Sequence, residues 1–221
     1  MDATSATPKR WRVLCNRIGL DHHWSDTRYA MLAASYGESH RAYHTLWHIS
    51  YCLEQLNEHR ALAKNFDAVE FALWMHDIVY YTQVRPKGLP SNESLSAEIA
   101  DEMLRDDIVG MGFREQVYGL IMATLHTPET ACTPDEKLIA DIDWSSLGVS
   151  WEEFCENGNR IRKEYGFLTD TDFRTGRIEW IRTALKRPHQ FHLQEFRDRF
   201  EVPTNDNLAR AFREYSVAAS Q

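Results

Sequence analysis

The chain has 221 residues, 43% of them hydrophobic and 26% charged, which suits one domain able to bury a core without staples. Its formal net charge of −8 argues against a general nucleic-acid surface, because phosphate backbones are held by an excess of Lys and Arg. No stretch approaches about 18 uninterrupted apolar residues and the first residues carry no apolar run of signal length, so the protein is expected in the cytoplasm and off the membrane.

Apolar residues recur at three- and four-residue intervals from position 11 to 35, which predicts one helix or a pair of short ones. Ser39 is a candidate cap for a helix over 40–58, and "FDAVEFALWMHDIVY" predicts a third helix, apolar enough to be central. The Pro- and Gly-rich "TQVRPKGLPSN" reads as a surface loop. Ser91 or Asn92 then caps "ESLSAEIADEMLRD", whose first turn is acidic as the helix dipole prefers. "REQVYGLIMATLH" is a further helix ending near Thr127, and "DEKLIADIDWSSLG" is one closed by Gly148. Helical patterns over 150–165, 172–187 and about 205–218 complete the chain, and alternating strand patterns are almost absent. The expected fold is all-α and single-domain, with a core at about 40–148 and a helical extension at about 150–218. Cys15, Cys52, Cys132 and Cys155 are scattered without Cys-x-x-Cys spacing, which indicates reduced thiols rather than a zinc ribbon or a disulfide framework.

Polar residues interrupt this apolar scaffold in four places. His44 and His48, four apart, would lie about 40° from each other on one helix. They are either ligands or histidines bonded to carbonyls. His76-Asp77 breaks an apolar run, and a buried carboxylate must be paired or bound to a metal. That pair is either functional or a His–Asp hydrogen bond at a helix end. Asp141 and Asp143 interrupt another apolar helix, about 200° apart on an ideal helix. His126 closes the helix before that one. Imidazoles and carboxylates together suit a divalent transition ion such as Mn, Fe, Co, Ni or Zn.

The ordered set His48…His76-Asp77…Asp143 resembles the signature of the HD-domain metal-dependent phosphohydrolase superfamily. The words "YHTLWHI", "WMHDIVYY", "NESLSA", "LIADIDWSSLG" and "DFRTGRIEWI" resemble the bacterial group of small predicted HD phosphohydrolases, over about residues 10–215. The resemblance implies that His48, His76, Asp77 and Asp143 hold one ion, with room for a second such as Mg. It also matches His44 to a histidine that, in related cyclic-nucleotide phosphodiesterases, protonates the leaving oxygen. The implied activity is hydrolysis of a phosphomonoester, phosphodiester or pyrophosphate, with a nucleotide or other small phosphorylated metabolite as substrate.

Such an ion acidifies a bound water and polarises phosphorus. Asp77 is then the residue expected to accept the water's proton or orient its attack, and His44 to protonate the leaving group. Asp141, turned away from Asp143, is expected to support the site or the fold rather than to ligate.

Weaker candidates remain. Glu93 matches a position the family favours and is a candidate to face the metal's water. His126 is either a substrate contact or a helix-end histidine bonded to a carbonyl. Arg174 and Arg177 are candidates to grip a phosphate bidentately, or else surface ion-pair partners, and Lys87 is a similar but slighter candidate. Trp47, Trp74 and Tyr80 fall at helical spacing and read as core. Two rival functions stay open: an HD-type di-iron oxygenase, which would need more histidines than the single His126 between Asp77 and Asp143, and a metal- or nucleotide-binding module without turnover. The exposed C-terminal helix is a candidate homodimer surface.

Overall fold

A computed structural model describes residues 5–83, 88–105, 109–127 and 130–218, and these contain helices and no strand. They divide into two compact units, Met1–Ile142 and Asp143–Gln221. None of the described helices is long and apolar enough to cross a membrane.

The first unit begins with the predicted helical pair, α1 (Pro8–Arg17) and α2 (His22–Tyr36). Thr7 Oγ1 accepts from the Arg10 N–H at 3.2 Å, with Pro8 at the first helical position where its missing N–H does no harm. Asp21 caps α2 in the same way, accepting from the Trp24 N–H at 2.8 Å. The next helix, α3, spans Leu46–Glu58 and not 40–58. Thr45 takes the cap in place of Ser39, accepting from the Trp47 N–H at 3.3 Å, so residues 39–45 form turns and bends ahead of the helix.

Helix α4 (Phe66–Met75) is the central one, and every side chain from Ala68 to Met75 is buried. Trp11 of α1 packs on Phe71 and Trp74, with ring centroids 5.3 and 5.5 Å apart, which joins α1 to α4. Glu70, 2% exposed, would be a costly buried charge alone. Arg10 holds it at 2.6 Å and Arg17 holds its second oxygen.

Helices α5 (Asn92–Leu104), α6 (Met111–Ala123) and α7 (Pro134–Trp144) follow. Ser91, not Asn92, caps α5, accepting from the Ser94 N–H at 3.1 Å. The Asp135 carboxylate at the start of α7 accepts from the backbone N–H groups of Lys64 (2.7 Å) and Asn65 (2.9 Å), at the start of α4. From this shared origin, His76 stands roughly 16 Å along one helix and Asp143 roughly 12 Å along the other, at 1.5 Å per residue. His76 and Asp143 thus lie toward the far ends of the two helices.

The second unit holds α8 (Trp151–Glu164), α9 (Asp170–Ala184), the short α10 (Gln194–Phe196) and α11 (Val202–Ala218), the last two joined by a π-helical stretch over Arg197–Glu201. Its core includes the rings of Phe191, Phe196 and Phe200, with centroids 5.8–6.2 Å apart. Gly148 ends a 3₁₀ turn, and its role is spatial. A Cβ there would stand 2.9 Å from Thr204 Oγ1 and 3.0 Å from the Phe200 ring, so only glycine allows this close approach.

Candidate metal centre

His48 lies in the first turn of α3, buried at 2% exposure, and His76 is the C-cap of α4, equally buried. Their Nε2 atoms stand 3.3 Å apart. Asp77, in the turn that follows α4, places Oδ2 at 3.1 Å from His76 Nε2 and 3.6 Å from His48 Nε2. Ligands about 2.0–2.2 Å from a shared ion sit roughly 3.0–3.5 Å apart in octahedral or tetrahedral shells. The three atoms stand close to the separations that donors around one ion would have.

Asp143 joins the two histidines in a grouping that takes in Cys52 and not Asp77. It is the first residue of the second unit, but it rides on α7, whose body belongs to the first. His48, Cys52, His76 and Asp143 each offer a donor atom, and the four atoms lie within 4.8 Å of one another. A buried His–Cys–His–Asp cluster able to hold a metal ion is thus part of this structure.

Cys52 was not anticipated from sequence, although its position four residues after His48 on α3 was a readable signal. Its Sγ lies 3.6 Å from His48 Nε2 and 3.9 Å from Nδ1. Cys52 thus lies near both ring nitrogens of His48, while Asp77 Oδ2 approaches the Nε2 atoms of both histidines.

The tautomer of His76 is set by its surroundings. Its Nδ1 lies 3.0 Å from the Leu73 carbonyl, which can only accept, so Nδ1 carries a proton and Nε2 is the nitrogen turned to the centre, where it either donates to Asp77 or, unprotonated, offers a lone pair to an ion. Burial by itself would raise the Asp77 carboxyl. The fields of His76, His44 and His48, with the hydrogen bond from His76, outweigh it and hold the carboxyl well below the usual range. Asp77 is ionised at neutral pH.

The backbone carrying Asp77 is held residue by residue. Arg41, whose side chain is fully buried, donates to the carbonyls of Asp77 (2.6 Å), Ile78 (2.9 Å) and His44 (3.2 Å) and to the Glu38 carboxylate (2.9 Å). Ser96 Oγ accepts from the Val79 N–H at 3.2 Å. His40 Nε2 meets the Tyr80 carbonyl at 2.9 Å, and the Asn92 amide makes two 3.1 Å bonds to the Tyr81 backbone. Tyr36 donates to the Trp74 carbonyl at 2.9 Å, and burial, with the charge of Asp77 added, keeps its phenol protonated far above neutrality. Arg41, Ser96 and Asn92 were not read as site residues from sequence, because their partners are main-chain groups many residues away.

His44 stands outside α3, in the turn before its cap. It is nonetheless beside the centre: its ring centroid is 5.9 Å from that of His48 and stacks on Tyr80 at 3.8 Å. Tyr80, expected in the core, is half-buried and serves as this platform. Trp74 is buried as expected, and Trp47 is half-buried.

Glu93 lies half-buried in the first turn of α5 and is not among the four residues of the cluster. His126, beyond α6, is also outside the cluster and adopts a left-handed backbone with φ 56°. Asp141 is buried at 1% exposure on α7. Arg174 and Arg177 are on α9, where they line a cavity made wholly of second-unit residues. Lys87 lies outside the described residues. No protein-family model, curated protein or solved structure matches this chain.

Proposed function

We propose that this chain is a metal-dependent phosphohydrolase of the HD type, acting on a small phosphorylated metabolite. The observation that carries the reading is the convergence of His48 Nε2, His76 Nε2 and Asp77 Oδ2 at 3.1–3.6 Å, with a donor atom of Asp143 within 4.8 Å of donors of the same two histidines. This donor set of imidazoles and carboxylates fits a divalent ion such as Mn, Fe, Co, Ni or Zn. Bound there, such an ion supplies an acidified water and a Lewis acid for the phosphoryl oxygens.

The residues of the chain do the rest. Asp77, ionised and clamped through its carbonyl by Arg41, keeps a carboxylate oxygen at the centre to orient a water or accept its proton. His44, stacked on Tyr80 beside His48, is the general acid for the leaving alkoxide. A nucleotide is the default substrate, and Glu93 is retained as a candidate for the water's second contact.

The test is a hydrolysis screen of the Mn- and Fe-loaded protein against nucleotides, sugar phosphates and a nitrophenyl phosphate. An oxygen-consumption assay runs alongside. Phosphate release that disappears in His76→Ala supports the reading. Oxygen uptake without phosphate release would replace it with the oxygenase, and silence in both assays with a binding module.

A further inference from the structure

The peptide joining Tyr80 to Tyr81 is held at both of its polar atoms. Its C=O, that of Tyr80, accepts from His40 Nε2 at 2.9 Å, so that ring nitrogen carries a proton. Its N–H, that of Tyr81, donates to Asn92 Oδ1 at 3.1 Å. The peptide is trans, so the two groups point in opposite directions. His40, in the turns ahead of α3, and Asn92, at the start of α5, therefore grip one peptide plane from opposite sides. Rotation of that plane would break these bonds, which fixes the direction in which the Tyr80 side chain leaves the backbone.

Asn92 is not needed as a helix cap, because Ser91 accepts from the Ser94 N–H and fills that role. Its Nδ2 instead donates to the Tyr81 carbonyl at 3.1 Å. Both ends of the amide thus serve one residue, an acceptor against its N–H and a donor against its C=O. Only an amide makes this pair of bonds. A carboxylate would keep the first and set an oxygen against the carbonyl oxygen at the second.

The direction of Tyr80 matters because of where its ring lies. It stacks on the His44 imidazole, with centroids 3.8 Å apart and planes 25° from parallel. A catalytic group has to be held within roughly 0.5 Å and 10–20° of its working geometry, and the residues around it supply that restraint.

We propose that Asn92 is a positioning residue for His44. With His40 it orients Tyr80, and the Tyr80 ring sets the plane of the imidazole. Asn92 acts through Tyr80 and not on substrate. This role rests on the proposed function of His44 as general acid.

Asn92→Asp is the variant to test, because a carboxylate in the first turn suits the helix dipole and keeps α5 stable while the lock is broken. Hydrolysis of alkyl phosphates should fall about tenfold to 10²-fold, as for a displaced catalytic group. Hydrolysis of a nitrophenyl phosphate should fall far less, and bound metal and melting temperature should hold. In a His44→Ala background the same substitution should cost no further rate, since residues acting through one group are not additive. NMR of the chelator-treated chain reads the geometry apart from activity. The Tyr80 ring current should displace the carbon-bound ring protons of His44 upfield, and Asn92→Asp and Tyr80→Leu should both move them back. Tyr80→Phe, which keeps the ring face, should retain the parent's shifts and rates. Unmoved His44 resonances in Asn92→Asp, loss of its ion, or a further loss of rate in the His44→Ala background would each overturn the proposal and leave the phosphohydrolase standing. A parent without phosphate release, or undiminished hydrolysis of alkyl phosphates in His44→Ala, would instead overturn the general-acid role on which the proposal rests.

Discussion

The guanidinium of Arg41 donates to the backbone carbonyl of Asp77 at 2.6 Å, and through the same side chain to the carbonyl of His44 at 3.2 Å. One buried cation therefore ties the turn holding a metal-capable carboxylate to the turn holding the proposed acid. The rings of Tyr36 and Tyr80 flank it, with centroids 5.3 and 5.7 Å from its Cζ. Replacement by Ala leaves three carbonyls without their donor, at about 1–3 kcal/mol for each that water cannot reach.

Arg41→Ala should therefore lose at least about 2 kcal/mol of stability by chemical denaturation and nearly all turnover. Arg41→Lys should recover little, because a single ammonium cannot reproduce a fork that serves four oxygens. Full activity in the Lys variant would mean that charge, and not the fork, holds the two turns.

Metal retention gives the second prediction. Purified protein should carry close to one transition ion per chain, and His76→Ala should lose it, as read by elemental analysis after dialysis. An ion that binds only the native state adds stability by mass action, so chelation should lower the melting temperature of the parent and not of the variant. Retention should also weaken on acidification, because protons compete for the imidazole nitrogens and carboxylates. Undiminished metal in His76→Ala would remove His76 from the ligand set.

Much of this centre was legible in the sequence, and the reasons are local. His76-Asp77 and Asp143 stand out because they interrupt apolar helices, where polar groups need an explanation. The all-α fold was legible for the same cause, since periodicity reports which face of each helix is buried. The start of α3 was not. Periodicity runs back through residues 40–44, and only the competition between Ser39 and Thr45 for the cap decides where the helix begins. Arg41, Ser96 and Asn92 are hidden for a different reason: they bond to main-chain atoms of residues 77–81, and main-chain partners leave no trace in residue identity. Cys52 leaves little trace in the sequence, because a cysteine without Cys-x-x-Cys spacing signals nothing by itself and only the histidine one turn before it marks the position.

His44 should act on the leaving group and not on the metal. Its ring is next to His48 but stacked on Tyr80, and it is no member of the convergent cluster. His44→Ala should keep the ion while losing about 10²–10⁴-fold in rate on alkyl phosphates. The loss should shrink for a nitrophenyl phosphate, whose leaving group departs without a proton. Equal losses on both would give His44 a structural part, and loss of the ion would make it a ligand.

Thiol chemistry should separate the cysteines. Burial, with the charge of Glu70 added, pushes the Cys15 thiol up from 9.0 to about 12, and its side chain is inaccessible. Cys132 is exposed and should react with a thiol reagent at about pH 8 in the native state, whereas Cys15 should react only after unfolding. The folded pKa of Cys15 is the higher one, so its contribution to stability is complete below about pH 9 and is lost as pH rises toward 12. Stability should fall over that range, and less steeply in Cys15→Ala. Rapid native-state labelling of Cys15 would show that α1 opens readily.

Asp77 and Cys52 compete for the same description, and their geometry predicts opposite outcomes. Asp77 Oδ2 approaches both Nε2 atoms at 3.1 and 3.6 Å, the separations expected around a shared ion. Cys52 Sγ stands almost as far from His48 Nε2 as from Nδ1, at 3.6 and 3.9 Å, and so favours neither nitrogen. Asp77→Ala should therefore release the ion. Cys52→Ala should retain it and lose only packing, about 1 kcal/mol or somewhat more for a buried sulfur replaced by a smaller group. Cobalt loading offers a direct readout, since a thiolate ligand would add a near-ultraviolet charge-transfer band. The cobalt protein should lack that band, and Cys52→Ala should leave its spectrum unchanged. A band that vanishes in Cys52→Ala would place sulfur on the ion and move Asp77 to the role of a base held beside it.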